Sequence, residues 1–281
     1  MLFGLLHNPM KDPHGLILNR IRHHLTYRGV QTVVQTDLQT APNVIDDQFA
    51  KSELIISLGG DGTFLQAAHL AYALNCPVIG INLGSLGFLA EIPVDDIESD
   101  LDRLIDGKMV QSFRMLLEIQ IRKAKEASDQ SYFALNDVVL TRGASHRILP
   151  VELYLDQAFI EVVPSDGVMV STPTGSTGYA MAAGGPILEP TLELMQFTPI
   201  CPHSLHNRSY IFAPHQEVML TLSQYPCEAT VMIDGKHDIR VCRADQIIIK
   251  KAKSPLKMPK LRSSAFFHDL PAKIHGRGVA R

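Results

Sequence analysis

The sequence predicts two modules: an N-terminal α/β domain on a mostly parallel sheet and a C-terminal antiparallel β domain, with the active site expected in the cleft between them. Three observations carry this. Over residues 1–110, short apolar runs alternate with stretches of helical periodicity, which implies a parallel sheet with helices on both faces. From Phe113 onward the pattern changes to brief alternating segments separated by turn residues, as antiparallel strands require. A glycine-rich turn follows one of the apolar runs, and open α/β sheets bind ligands at the carboxyl ends of their strands.

Residues 2–6 read as a buried strand. Leu18, Ile21 and Leu25 mark a helix face that ends near Gly29, and residues 31–34 form the next strand. Residues 54–58, Leu-Ile-Ile-Ser-Leu, are short and rich in β-branched side chains, so they read as a further strand, followed by an Ala/Leu-rich helix to Leu74. Residues 77–81 make another strand. A helix over 95–106 has Pro93 ahead of it, Ile97, Leu101 and Leu104 at helical spacing, and Gly107 to close it. The β module then shows strands at 117–121, 134–140, 151–155, 159–163, 218–222, 230–233 and 246–249. The expected domains are therefore 1–113 and 114–262, with a basic tail over 263–281 that Phe266 and Phe267 dock in part.

Composition narrows the function classes. The 281 residues carry a formal net charge of -3, so no global positive field gathers nucleic acid, and any phosphate recognition must be local. No apolar run approaches the roughly 18–20 residues needed to span a bilayer, and the opening MLFGLLHNPMKDPHG breaks the apolar core that a signal peptide would continue. A cytoplasmic protein is expected, without nucleic-acid or membrane partners. Cys76, Cys201, Cys227 and Cys242 are scattered, with no C-x-x-C, and read as reduced thiols. Cys201, His203 and His206 admit a metal reading, but their spacing matches no standard zinc pattern.

The first chemical constellation is Gly59-Gly60-Asp61-Gly62-Thr63. Gly59, Gly60 and Gly62 let the backbone approach a ligand more closely than a Cβ would allow. Together with Thr63 they open a helix whose N-terminal amides suit the phosphates of a donor. Asp61 would repel those phosphates unless a metal or a substrate hydroxyl intervenes. A kinase needs such a group, either to take a proton from the attacking hydroxyl or to hold a cation; the alternative is that Asp61 N-caps the helix. Residues 82–89, Asn-Leu-Gly-Ser-Leu-Gly-Phe-Leu, form either a second backbone wall or a plain β-to-α connection.

The second constellation spans residues 165–186, a hydroxyl- and glycine-rich insertion that does not read as a strand. It is either a polar concave surface with close backbone access or a turn. Upstream, Asn136-Asp137 sets an amide beside a carboxylate in an apolar strand. Such a pair either faces a cleft and bonds a diol or an amine, or forms a structural hydrogen-bond pair.

Taken together, these stretches resemble the bacterial NAD kinases along nearly the whole chain. The motifs are Gly59-Gly60-Asp61-Gly62-Thr63, Leu86-Gly87-Phe88-Leu89, Leu135-Asn136-Asp137, Asp166-Gly167, Thr172-Pro173-Thr174-Gly175-Ser176-Thr177-Gly178-Tyr179, Gly184-Gly185-Pro186-Ile187 and Pro202-His203-Ser204-Leu205. The resemblance implies transfer of a phosphoryl group from ATP, or from polyphosphate, to the 2′-hydroxyl of the adenosine ribose of NAD. It also implies a divalent cation, Mg²⁺, and a homodimer or homotetramer. By position, Asp61 is the expected proton acceptor. Expected NAD contacts are Asp61, Gly62, Asn136, Asp137, Arg147, Asp166, Thr174, Thr177, Gly178, Tyr179, Ala180, Met181, Ala182 and Lys236. Four positions depart from the family pattern: Asp137 for a common Glu, Pro164 for Arg, Gly178 for Ala and Lys236 for Gln. Two rivals remain at this stage, a lipid kinase of the same superfamily and a non-catalytic NAD- or NADP-binding regulator.

Overall fold

A computed structural model describes residues 1–36, 46–84, 87–126, 128–204, 208–223, 225–226, 228–262 and 266–278. It divides into two compact units. One comprises Met1–Phe113 with Leu256–Arg281, the other Arg114–Pro255.

The first unit is built on a five-stranded parallel sheet in the order β2-β1-β3-β4-β5. Its elements are β1 (Leu2–His7), α1 (Leu16–Tyr27), β2 (Gln31–Thr36), β3 (Leu54–Gly59), α2 (Asp61–Ala73), β4 (Val78–Asn82), β5 (Ile92–Pro93) and α3 (Ile97–Ile105). Helices cover both faces because the strands are apolar on both. Phe3, Leu5, Ile56, Leu58, Ile79 and Ile81 pack with Ile21 and Leu25 of α1 and Leu101 and Leu104 of α3. On the opposite face α2 lies so close that a Cβ on Gly80 would come within 2.7 Å of the Phe64 ring. The helix predicted over 95–106 begins later than its acidic run suggests. Val94–Asp96 form a 3₁₀ turn, and Gly107 ends the segment in the left-handed conformation that favours glycine.

The second unit is a sandwich of two six-stranded antiparallel sheets. One runs β11-β10-β15-β18-β7-β8 and the other β14-β13-β12-β9-β16-β17. In chain order these strands are β7 (Leu117–Arg122), β8 (Gln130–Ala134), β9 (Asp137–Thr141), β10 (Leu149–Leu155), β11 (Ala158–Ser165), β12 (Gly167–Ser171), β13 (Met195–Ile200), β14 (Tyr210–Phe212), β15 (Val218–Leu222), β16 (Ala229–Ile233), β17 (Lys236–Val241) and β18 (Gln246–Lys251). Two-residue strands β6 (Phe113–Arg114) and β19 (Leu256–Lys257) pair with each other. Alternating positions such as Leu117, Ile119 and Ile121 on one sheet meet Val138, Leu140, Val168 and Val170 of the other in one shared core.

Three expectations are corrected. The strand expected over 134–140 is two strands in different sheets, because the chain turns at Leu135-Asn136 between β8 and β9. Gly167–Ser171, read as part of a non-strand insertion, is β12, fully buried and paired on both sides. It lacks alternation because the helical turn α4 (Tyr179–Ala182) covers its outer face, where Met169 packs with Val139 and Ala180. Residues 256–262, assigned to the β module, belong to the first unit. There Met258 N–H donates to the Ser112 carbonyl at 2.8 Å, Val110 and Lys260 exchange two bonds, and Leu261 joins the core. The tail beyond them forms α5 (Phe266–Gly278), in which Phe266 is half-buried and Phe267 exposed.

Candidate active site

In the first unit the strand order reverses between β1 and β3, with chain direction leading to β2 on one side and β4 on the other. Such a switch point opens a crevice at the carboxyl ends of those strands. Asn8 follows β1 and the glycine turn follows β3, and Asn8 Nδ2 donates to Thr63 Oγ1 at 2.9 Å across the crevice. Sequence reading passed over Asn8; only its place just after the first strand could have pointed to it.

The three glycines of the turn do different things. A Cβ on Gly59 would lie 2.4 Å from Thr63 Oγ1, so that glycine serves internal packing. Gly60 and Gly62 face no described atom within 4 Å of a built Cβ. Gly60 has an ordinary φ of -103°, and glycine costs about 1 kcal/mol against alanine in a helix such as the one Gly62 occupies. Packing among the described residues therefore does not require these two, and both leave backbone open to close approach.

Asp61 is not the cap of α2. Gly60 holds the N-cap position with no side-chain bond, and Asp61 is the first helical residue. Its carboxylate is held by the following loop instead: Phe88 N–H donates to Oδ2 and Leu89 N–H to Oδ1, each at 3.2 Å. Gly87 makes this possible, since a Cβ there would sit 2.2 Å from Oδ1. The Gly87-Phe88-Leu89 motif is thus the orienting wall of the carboxylate; Ser85 and Leu86 lie outside the described residues.

In the second unit, Asp234 organises the strand ends. Its carboxylate accepts the amides of Leu135 (2.8 Å), Asn136 (2.8 Å) and Asp137 (3.0 Å), and its own N–H returns to the Asp137 carbonyl at 3.0 Å. Asp234 and Gly235 both take positive φ in the hairpin between β16 and β17. The Asp-Gly pair is a turn signal legible in sequence, but its tertiary role as a triple acceptor is not. Lys236 follows with an exposed side chain.

Asp137 begins β9 and is buried, and its carboxylate accepts no hydrogen bond among the described residues. Burial, and secondarily the Asp234 charge, push it up to about 7. Asn136 Oδ1 and Thr174 Oγ1 are likewise buried without partners. Buried polar groups normally find partners, so this cluster keeps hydrogen-bonding capacity that the described residues do not use.

The covering segment is tied to the strand ends by hydrogen bonds and close packing. Thr172 N–H donates to the Asn136 carbonyl at 2.9 Å, Thr172 Oγ1 to the Leu135 carbonyl, and Gly175 N–H to Thr172 Oγ1 at 3.1 Å. Gly175 stands so close that a Cβ would lie 2.1 Å from the Asn136 carbonyl oxygen. Gly178 lies over the same pair: a Cβ there would be 3.8 Å from Asn136 Nδ2 and 3.9 Å from an Asp137 oxygen. Thr177 Oγ1 donates to the Thr174 carbonyl. Beyond it Tyr179 and Ala182 are exposed, Met181 is half-buried, and Ala180 turns inward on Val139 and Met169. Asp166 pairs with Arg142 at 3.4 Å, a partner that sequence reading missed, whereas Arg147 lies exposed in the adjoining turn with its N–H on Ser145 Oγ. The metal reading of Cys201, His203 and His206 includes one residue outside those described; Cys201 is exposed.

Residues 6–109 match the ATP-NAD kinase N-terminal domain, and residues 135–261 the ATP-NAD kinase C-terminal domain. The NAD kinase of Ruminiclostridium cellulolyticum is 36% identical over 280 residues, covering 98% of each chain. This chain belongs to the NAD kinase family. The NAD kinase of Acetivibrio thermocellus is 40% identical over 238 residues, 84% of this chain and 80% of that protein. The fold is shared with yeast NADH kinase complexed with NADH (TM-score 0.86, 23% identity, 100% of this chain and 89% of that one). It is also shared with an Archaeoglobus fulgidus NAD kinase in complex with ATP (TM-score 0.77, 23% identity, 98% and 99%). Within the NAD kinase family the Asp61 turn and the Asn136-Asp137 cluster fall one in each matched domain. Among the described residues no helix is long and apolar enough to cross a membrane.

Proposed function

We propose that this NAD kinase uses Asp61 as the general base that takes the proton of the ribose 2′-hydroxyl of NAD as that oxygen attacks the terminal phosphorus of ATP. The activity is that of the family, phosphoryl transfer from ATP to NAD to give NADP. One observation carries the role of Asp61: its carboxylate is withdrawn from helix capping and fixed by the Phe88 and Leu89 amides. A base so oriented contributes about 10²–10⁴ to rate.

The dinucleotide contacts are proposed at Asn136, Asp137 and the segment from Thr174 to Ala182, with Arg147, Asp166 and Lys236 at the rim. The buried oxygens of Asn136 and Thr174, which have no partner among the described residues, and the buried Asp137 carboxyl, which accepts no hydrogen bond there, support this reading, because ribose hydroxyls and the adenine amine would donate to them. The exposed position of Arg147, and the engagement of Asp166 by Arg142, make those two the weakest members of the set. Gly60 and Gly62 give the phosphate donor access to backbone amides at the head of α2.

Among the described residues no three His, Cys, Asp or Glu side chains gather into a metal cage. The proposed Mg²⁺ would enter with the triphosphate, where such an ion keeps most of its ligands; bound there, it would offset charge on the transferring group. We place the enzyme in the cytosol as a homodimer or homotetramer.

Replacing Asp61 by Asn is expected to leave the fold and NAD binding intact while turnover to NADP falls about a hundredfold or more. Calorimetric NAD binding and an ATP- and Mg²⁺-dependent NADP assay measure the two separately. Turnover within a few-fold of the parent would take the base role from Asp61.

A further inference from the structure

The loop that holds the Asp61 carboxylate is itself held from the C-terminus. Glu91, two residues past Leu89, donates its amide to the Gly80 carbonyl of β4 at 3.0 Å. Its carboxylate lies close to the Leu261 and Arg262 amides and stands in the field of Lys260 and Lys273. Arg262 in turn pairs with Asp96 and, at 2.9 Å, with Asp100. From α5, Lys273 Nζ lies over the Phe88 ring, 5.7 Å from its centroid. The amide of that same Phe88 is one of the two that orient Asp61.

We propose that Lys273 is a positioning residue for phosphoryl transfer: its ammonium pins the Phe88 ring, and through the Phe88 and Leu89 amides it fixes the direction of the Asp61 carboxylate. This rests on the reading of Asp61 as the base. The Phe88 side chain is a handle on the loop next to Gly87, which has no Cβ of its own to fix the carboxylate. A cation over an aromatic face is attracted to it and so restrains such a ring. The alternative, that Lys273 serves only to dock α5, makes a different prediction: lower thermal stability with normal turnover.

The test uses the full chain with NAD, ATP and Mg²⁺. Lys273→Met keeps the length and removes the charge; kcat is expected to fall about threefold with KM for NAD unchanged, the scale of an exposed cation–π contact. Lys273→Arg, which stacks on aromatic faces at least as well, retains the rate. Phe88→Leu loses a similar factor, and adding Lys273→Met to it costs nothing more, since the contact is already gone. Parental kcat in Lys273→Met, whatever its melting temperature, overturns the inference. Losses that multiply in the double variant overturn it too, because Lys273 would then act without Phe88. Asp61→Asn runs alongside: if it alone abolishes turnover, the base stands and only the Lys273 inference fails, whereas an active Asp61→Asn removes both.

Discussion

Asp137 is the residue whose chemistry is most exposed to test. Burial and the neighbouring Asp234 charge raise its carboxyl from the ordinary 3.8 to about 7. A raised folded-state pKa gives stability that is full below the unfolded value and is lost as pH climbs toward the folded one. Stability of the ligand-free protein from this group should therefore decline between about pH 4 and pH 7 and level off above. Asp137→Asn, neutral throughout, should unfold at higher temperature than the parent at pH 8 and with no such difference at pH 4. NAD should shift the balance the other way, because ribose hydroxyls donating to the carboxylate favour its ionised form. Affinity for NAD is expected to rise several-fold from pH 6 to pH 8 in the parent and to stay flat in the variant. A parent whose affinity is level over that range would show that Asp137 does not meet the ligand as an ionised acceptor. The sequence made Asn136-Asp137 visible as polar residues in an apolar run. It could not reveal the carboxylate of Asp234 nearly a hundred positions later, which supplies both the turn and part of the shift.

At the scale of elements, periodicity located what it could and failed where two faces are covered. β7, β15 and β16 alternate and were legible. β12 was not, because α4 and the segment before it bury the outer face of its sheet, so the strand has no solvent side to write into the sequence. The switch of sheets between β8 and β9 was hidden for a similar reason, an apolar run continuing through a turn that is made by a distant side chain. β11 presents the opposite case. It is the edge of its sheet, carries Pro164 as edge strands tolerate, and exposes Phe159, Ile160 and Val162 without a lysine to discourage pairing. An apolar edge of this kind favours pairing with a second copy, and it is where the proposed homo-oligomer would make its contact. Ile160→Lys combined with Val162→Lys should reduce the sedimenting species to a monomer at micromolar concentration while each chain still unfolds cooperatively. A double variant of parental mass would move the contact to another surface.

For the molecule as a whole, the discontinuity of the first unit has a consequence for folding. Arg114–Pro255 is one uninterrupted segment whose core lies wholly within it, from Met115 to Ile249. Its ends meet within the unit, where Ala252 N–H donates to the Leu116 carbonyl at 2.9 Å. Excised residues 114–255 should therefore fold alone, with one cooperative thermal transition and a β-rich circular dichroism spectrum. They should bind NAD, more weakly than the full chain, and form no NADP, since Asp61 is absent. Residues 1–113 alone should fare worse, because Leu261 fills part of the parallel-sheet core and the 256–262 segment hydrogen-bonds to Val110 and Ser112. Joining Phe113 to Leu256 through a short Gly-Ser linker restores that segment at little entropic cost, given the hydrogen bond already made between Ser112 and Met258. The joined first unit should show a cooperative transition that residues 1–113 lack. If 114–255 melts without cooperativity, or 1–113 folds as well unaided as with 256–278 attached, the two units are not the independent bodies that their separate cores describe.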